Sequence, residues 1–177
     1  MRKVNTTTAI ILFGSVLLML VGTFTYAGSQ KEVLESDEVS HFGPPTSSTS
    51  NSVSIPKEYD QLWLSGMVPP ILDEEGETSY EKYGDTETQA IGIFEDLEAQ
   101  LEEKGLSLSD VMYLRVYVAS DPNNGDEPDF AGFFKAYGEF FDTEENPVKT
   151  ARSTVGVDSL AEPGWLIKIE AFVAYSS

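Results

Sequence analysis

The sequence predicts a mixed α/β (α+β) domain, with one mixed sheet and two helices packed on one face of that sheet. The segments between about residue 53 and residue 175 follow the order β, α, β, α, β, β. Helices that alternate with strands favour a layer of helices over a single sheet. Apolar residues also occupy both faces of the strands, as Leu166 and Ile167 show. A small sheet that is apolar on both faces predicts burial against another subunit, and therefore a homo-oligomer.

The first 27 residues have the layout of a secretory signal peptide. Arg2 and Lys3 precede an apolar run over residues 9–21, and small residues lead to a cleavage position after Ala27. This run is shorter than the roughly 20 residues that a spanning helix needs. We therefore expect a periplasmic or secreted protein. The alternative is an uncleaved anchor that holds the domain on the outer side of a membrane.

Residues 28–51 are rich in Ser, Thr and Pro and offer little to bury, which predicts a flexible linker. The folded domain is expected over residues 52–177. Its first strand covers residues 62–68 and ends at two prolines, and an acidic loop follows over residues 73–85. A helix then runs from a cap at residue 85 or 86 to Gly105. Its apolar face contains Ala90, Phe94, Leu97 and Leu101.

The second half of the domain continues with a strand of strong β-formers over residues 111–118. A second helix is expected from about residue 128 to residue 141. The last two strands are expected over residues 149–157 and 165–175. The second helix has an aromatic stripe, which helical spacing assigns to the core rather than to a ligand cage. The stripe consists of Phe130, Phe133, Phe134, Tyr137, Phe140 and Phe141.

Arg152 lies in a predicted strand and has no acidic residue within five positions, although the chain has a formal net charge of -19. Burying an unpaired guanidinium is costly, so Arg152 requires an anionic partner. One possibility is a carboxylate from elsewhere in the fold, in an internal ion pair. The other is a ligand carboxylate, which a guanidinium can bind through two parallel hydrogen bonds.

The composition excludes several classes of function. The chain has no Cys, so it has neither a thiol nucleophile nor a thiolate metal site. Its single histidine, His41, falls in the predicted linker and cannot form a Ser-His-Asp triad in the core. The excess of acidic residues argues against binding to nucleic acid or to anionic membranes.

Four short motifs carry a family resemblance. Residues 64–69 (LSGMVP) resemble the pattern S-G-Q-I-P, and residues 151–155 (ARSTV) resemble A-R-S-x-V. Residues 129–131 (DFA) open the second helix, and residues 169–171 (IEA) resemble a final I-E-A. Because these motifs occur in the same order and with nearly the same spacing, the chain resembles the RidA family, which is also called the YjgF family.

The resemblance implies a chorismate-mutase-like fold, assembled as a homotrimer with clefts between the subunits. It also implies hydrolysis of small reactive 2-imino acids and their enamine tautomers to 2-keto acids and ammonia, without a cofactor or metal. The best-known members are 2-iminobutanoate/2-iminopropanoate deaminases. In such an enzyme Arg152 would anchor the substrate carboxylate and Glu170 would orient water. The other positions implied to bind substrate are Ser65, Gly66, Thr154 and Lys168.

The chain departs from the family pattern at two instructive positions. Lys168 stands where the family has the first of two alternating Glu residues, and that Glu is thought to help activate water. Phe134 stands where many members have Asn, which predicts a more apolar pocket.

Glu170 has an alternative role as an ion-pair partner of Arg152 or Lys168. Two other functions stay open: a non-catalytic trimeric module that binds small carboxylates between subunits, and a trimer for protein interaction.

Overall fold

A computed structural model describes residues 36–176 of the chain. The predicted signal peptide, residues 1–27, and residues 28–35 of the predicted linker lie outside this range. Within the described range, no helix is both long enough and apolar enough to cross a bilayer.

Residues 36–176 form seven β-strands and three α-helices. The strands are β1 (Ser40–Phe42), β2 (Ser52–Ser54), β3 (Tyr59–Met67), β4 (Val111–Asp121), β5 (Glu127–Pro128), β6 (Ala151–Val157) and β7 (Ile167–Ser176). The α-helices are α1 (Ser79–Tyr83), α2 (Thr86–Glu102) and α3 (Phe130–Phe140), with 3-10 turns at Leu108–Asp110 and Pro122–Asn124.

The main sheet is mixed, as the sequence predicts. β7 lies between β3 and β4 and is antiparallel to both. On the other side of β4, β6 pairs in parallel and β5 pairs antiparallel. The parallel pairing requires a crossover between β4 and β6, and α3 lies in that crossover. β6 is therefore an edge strand, and this places Arg152 at the border of the sheet.

Both long helices begin at a capping aspartate, of which the sequence predicts the first. Asp85 accepts a hydrogen bond from the Thr88 amide at 2.8 Å at the start of α2. Asp129 accepts one from the Gly132 amide at 2.9 Å at the start of α3. Each carboxylate satisfies an amide that has no partner inside the helix.

The core lies between these two helices and one face of the sheet, which we call the helix face. Phe94 of α2 packs against aromatic rings of α3, including Phe133 and Tyr137. The strands contribute alternate residues to the same cluster, as the period of a strand requires. The predicted packing of two helices on one face is confirmed. The strand residues of this core include Leu114, Val116, Val118, Ile167, Ile169, Ala171 and Val173.

The opposite face of the sheet, which we call the open face, has no helix of the described range packed on it. Trp63 is 73% exposed there and meets Phe172 edge to face, with ring centroids 4.4 Å apart. A cavity of about 230 Å³ on this face is lined by these two rings together with Tyr113, Arg115 and Glu170. The predicted apolar character of both faces is therefore present in the structure.

Two regions differ from the prediction of loop or flexible linker. The acidic loop contains α1, which a reciprocal capping box starts: Thr78 accepts from the Glu81 amide, and the Glu81 carboxylate accepts from the Thr78 amide. Such local capping carries no apolar periodicity, so a search for amphipathic patterns does not detect it.

The second region is residues 40–51, expected within the flexible linker, which contains β1; this strand pairs with β2, which directly follows the region. The Ser50 amide donates to the Thr150 carbonyl at 3.1 Å, and Lys149 Nζ donates to the Pro45 carbonyl at 2.9 Å. His41 Nδ1 lies 3.1 Å from the Lys149 carbonyl. Polar residues that bury little apolar surface are thus held by hydrogen bonds to residues 149 and 150, just before the edge strand.

Candidate functional site

The register of β6 sets the direction of Arg152. Arg152 lies opposite Leu114 of β4, and Leu114 is fully buried in the core. Neighbouring residues in register point to the same side of a sheet, so Arg152 points to the helix face, towards α3. Its side chain is half-buried.

The guanidinium of Arg152 lies against three aromatic rings of α3. Its Cζ is 4.9 Å from the ring centroid of Phe133, 5.0 Å from that of Phe134 and 4.3 Å from that of Tyr137. These distances are those of cation–π contacts, which stabilise a partly desolvated cation by about 0.5–2 kcal/mol each. The aromatic bed compensates part of the cost of burying the charge.

The guanidinium nevertheless has no anionic partner among the residues that the structure describes. Arg152 Nη1 is buried and has no hydrogen-bond partner in the described part of the chain, and Arg152 forms no ion pair there. Burial lowers the pKa of Arg152, and the charge interaction with Tyr137 opposes this only in part. An arginine remains charged at neutral pH even so. The internal ion pair considered from the sequence is therefore absent within residues 36–176.

Tyr137 is held in place under the guanidinium by the segment that precedes the main sheet. Its hydroxyl donates to the Ser48 carbonyl at 3.2 Å and lies 3.0 Å from Thr150 Oγ1. Burial raises the pKa of the Tyr137 hydroxyl, so it remains a neutral hydrogen-bond donor. Residues 48–50 thus position one wall of the Arg152 site.

Thr154 and Gly156 follow Arg152 on the same side of β6. Thr154 lies in register with the buried Val116. A Cβ on Gly156 would come within 3.3 Å of Phe130 Cζ, so the Phe130 ring covers this glycine closely. On its helix-facing side, β6 therefore carries the guanidinium of Arg152, then the hydroxyl of Thr154, then the bare backbone of Gly156. These three groups lie beneath the first half of α3.

The other predicted site residues lie on the open face. Glu170 is in register with Arg115, whereas Arg152 is in register with Leu114, the neighbouring residue on β4. Successive residues of a strand point to opposite faces, so Glu170 and Arg152 are on opposite sides of the sheet. Lys168 alternates with Glu170 and shares its side.

Glu170 forms an ion pair with Arg115, with Oε2 3.3 Å from Nη1. The alternative ion pairs of Glu170 with Arg152 or Lys168 are therefore wrong within one protomer, because the antiparallel register places Arg115 directly opposite Glu170. Hydrogen bonds with Tyr113 and Tyr117 raise the pKa of Arg115, and the charge of Glu170 adds to this effect.

Ser65 and Gly66 lie in an irregularity of β3, between Leu64 and Met67. The two flanking residues pair with core residues of β7, which leaves both Ser65 and Gly66 on the open face, as in a β-bulge. A Cβ on Gly66 would lie only 1.7 Å from Lys168 Cε. The absence of a side chain at Gly66 is what lets Lys168 lie across the bulge.

The sheet thus divides the predicted site residues of one protomer into two groups. Arg152 and Thr154 face α3, and the others face away from it. One protomer does not bring the two groups together. Among residues 36–176, no three His, Asp or Glu side chains converge as a metal site. The open-face group consists of Ser65, Gly66, Lys168 and Glu170.

Sequence reasoning linked Phe134 to a more apolar pocket through the family resemblance, but from helical spacing it assigned the whole aromatic stripe to the core, and it missed the role of residues 48–50. The aromatic stripe of α3 is core only in part: Phe133, Tyr137 and Phe141 are buried, but Phe130 is 36% and Phe134 is 48% exposed. The spacing could have shown this. Phe130 and Phe134 form one i, i+4 pair, and the buried Phe133 and Tyr137 form another on a neighbouring side of the helix. The role of residues 48–50 had no signal in the sequence.

These features define a class of protein: a mixed sheet with two helices on one face, and an edge-strand arginine that has no ion-pair partner among residues 36–176. The family described as Endoribonuclease L-PSP matches residues 50–175. The chain belongs to this family, which includes the RidA (YjgF) proteins.

Individual relatives agree with this assignment. A RutC family protein of Pyrococcus abyssi (strain GE5 / Orsay) is 35% identical over 114 residues, which cover 64% of this chain and 77% of the relative. The crystal structure of the Rid family protein YyfB of Yersinia pestis has a TM-score of 0.59 and 26% identity, and covers 77% of this chain and 98% of its own. The crystal structure of Escherichia coli TdcF with bound serine has a TM-score of 0.50 and 27% identity. The match covers 67% of this chain and 87% of the TdcF chain. These relatives confirm the predicted fold.

Proposed function

We propose that the protein hydrolyses small reactive 2-imino acids and enamines to 2-keto acids and ammonia, with Arg152 anchoring the substrate carboxylate. We further propose that it acts as a homotrimer outside the cytoplasm, in keeping with the signal-like residues 1–27. The observation that carries the proposal is the half-buried guanidinium of Arg152, which has an unsatisfied Nη1 and no carboxylate partner in the described range. A buried donor without a partner costs about 1–3 kcal/mol, and a bound carboxylate removes this cost.

The relative TdcF supports a small carboxylate as ligand, because its crystal structure contains bound serine. The description of the family names an endoribonuclease. This chain has 30 acidic and 11 basic residues, and such a charge opposes the approach of phosphates. A small carboxylate needs only one guanidinium.

The proposed reaction makes few demands on the protein. The oxygen of water adds to the electrophilic C2 of the imine, the C–N bond breaks, and the nitrogen leaves as ammonia with the protons of water. The site has to hold the carboxylate, orient the water and accept a proton. Arg152 supplies the first function, and its aromatic bed limits rotation of the guanidinium. No cofactor enters this scheme.

Orientation of water requires a second group, which we place on the neighbouring subunit. In a trimer packed through the open face, Glu170 and Ser65 of one protomer would approach Arg152 of the next. Lys168 is cationic and cannot accept a proton from water as a carboxylate does, so it would serve as a second contact for the substrate carboxylate. Glu170 is then the carboxylate available to orient water, with Arg115 holding it in place at 3.3 Å.

The test is ammonia release from freshly generated 2-iminopropanoate and 2-iminobutanoate. We expect the wild type to exceed the buffer rate and Arg152→Ala to lose the increase, while Arg152→Lys retains a small part because it keeps the charge without the bidentate geometry. Loss of two charge-assisted hydrogen bonds corresponds to about 100-fold or more in kcat/KM. Lys57→Ala is the control, since Lys57 is an exposed cation that pairs with Glu58, away from Arg152. Equal rates for the wild type and Arg152→Ala would reject the proposal.

A non-catalytic module that binds small carboxylates is the second candidate. The observations that favour it are Lys168 at the position of a family Glu and the engagement of Glu170 by Arg115. It predicts saturable binding of pyruvate by the wild type, lost in Arg152→Ala, with no ammonia released above buffer. Calorimetry and the ammonia assay on the same preparation separate the two candidates.

A further inference from the structure

We propose that the Arg152 site selects carboxylates that carry a planar apolar group, such as an aryl side chain, and that Phe134 and Phe130 form the surface on which this group lies. The inference rests on the proposed function only in that Arg152 binds a carboxylate. It adds the class of side chain that the ligand carries.

The first observation is that two large rings are exposed at the same place. Phe134 is 48% and Phe130 is 36% exposed, although α3 belongs to a well-packed core. The two rings are nearly parallel, with centroids 6.4 Å apart and an interplanar angle of 23°. Both rings are therefore partly open to solvent on the same side of α3, one helical turn apart.

The second observation is that this surface begins at the unpaired charge. The Phe134 ring is 5.0 Å from Arg152 Cζ, and Phe130 lies over Gly156, two strand positions beyond Thr154. A carboxylate bound to Arg152 would therefore have an apolar surface extending from it along β6. Charge and apolar surface together match an anionic head with an apolar tail.

The third observation concerns length. The ring centre of an arylpyruvate lies about 5 Å from its carboxylate carbon, from standard bond lengths. An arylpyruvate whose carboxylate binds Arg152 is therefore long enough for its aryl ring to lie on the rings of Phe134 and Phe130. The methyl group of pyruvate is too short to reach beyond Phe134. Aromatic rings gain from offset stacking beyond the area that they bury.

Gly156 contributes to this surface because it has no side chain. Any side chain there would meet Phe130 Cζ at 3.3 Å and Pro128 Cγ at 3.1 Å. The bare backbone of Gly156 lets the Phe130 ring lie close to β6.

The experiment is calorimetric binding of two stable 2-keto acids, phenylpyruvate and pyruvate, to the full chain. We expect phenylpyruvate to bind about tenfold or more tightly than pyruvate, from burial of the aryl group and stacking. In Phe134→Ala the ratio is expected to fall towards one, while pyruvate itself also binds less tightly because this ring supports the guanidinium. Phe130→Ala is expected to lower the ratio by a smaller factor. Ile71→Ala, which removes an apolar side chain that is 53% exposed elsewhere, is the matched control and keeps the ratio.

The outcomes separate this inference from the proposed function. Equal affinities that are both lost in Arg152→Ala overturn the aryl preference and leave Arg152 as a carboxylate anchor. Binding that survives Arg152→Ala overturns the anchor itself. A fall in the mass of the assembly in Phe134→Ala, measured by light scattering, would show that the two rings are a contact between subunits, and would overturn the ligand surface.

Discussion

Gln89 is a buried polar side chain that uses its whole amide to join three parts of the fold. Its Nε2 donates to the carbonyls of Gly84 at 3.1 Å and Gly164 at 2.8 Å, and its Oε1 accepts from the Leu166 amide at 2.8 Å. The residue is only 1% exposed, so water cannot replace these partners. The entry into β7 therefore depends on one side chain of α2.

Replacing Gln89 by Leu is expected to lower the free energy of unfolding by about 3 kcal/mol. Two carbonyls and one amide would lose their partner, and each buried unsatisfied group costs about 1–3 kcal/mol, part of which relaxation recovers. Urea unfolding followed by circular dichroism measures the change. Gln100→Leu on the exposed side of the same helix is the control and is expected to stay within about 0.5 kcal/mol of the wild type.

At the residue scale, the sequence identified Arg152 correctly as an unusual charge but could not choose its partner. The absence of nearby acidic residues is visible in the sequence, whereas the three rings beneath the guanidinium come from a helix in the preceding crossover. Glu170 shows the same limit. Its partner, Arg115, is 55 positions away and is set by register, which a single sequence specifies only weakly.

At the scale of elements, α2 begins at Asp85, whose carboxylate caps the helix. The hydrogen bond from the Thr88 amide lowers the pKa of Asp85, more than burial raises it. A carboxyl whose pKa is depressed in the folded state stabilises the fold fully at pH values above its unfolded pKa, which is about 3.9. The contribution is lost as the pH falls through the lower, folded pKa.

Asp85→Ala is accordingly expected to lower the free energy of unfolding by about 1 kcal/mol at pH 7. The difference from the wild type should shrink as the pH falls below about 4, because the wild-type cap loses its charge as the pH drops through its depressed folded pKa. Asp85→Asn keeps an acceptor that does not titrate and should stay close to the wild type at pH 7. Unfolding curves of the three proteins at several pH values provide the test. A difference that is constant with pH would contradict the role of the charge.

The long elements could be predicted because each has a periodic apolar face and a terminating residue. α2 and α3 match their predicted ranges closely, and both end where the apolar period stops. α1 and the β1–β2 hairpin were missed because caps and backbone hydrogen bonds form them rather than apolar burial. Local amphipathic patterns report burial, and these two elements bury little.

At the scale of the whole molecule, the open face is the largest feature that a single protomer leaves unexplained. The exposed Trp63, together with Phe172 and the Arg115–Glu170 pair, forms a surface with an apolar part and a charged part. This composition fits the proposed trimer better than contact with water.

We expect light scattering to give the mass of a trimer for the wild type. Trp63→Asp should reduce that mass towards one subunit, because it places a charge in the proposed interface. Ile71→Asp, a matched change at an exposed apolar residue, should leave the mass unchanged. A monomeric wild type would contradict the trimer and the cleft-based functions with it.

The charge of the whole chain has a consequence for how an anion reaches Arg152. A net charge of -19 repels a carboxylate at long range, whereas the half-buried guanidinium attracts it only at contact. Dissolved salt screens the first interaction beyond about 8 Å at 0.15 M and weakens the second much less. Association of pyruvate should therefore accelerate as sodium chloride rises from low concentration, which stopped-flow measurements can follow. In this protein salt would act as an activator of ligand capture, the reverse of its usual effect on binding between opposite charges.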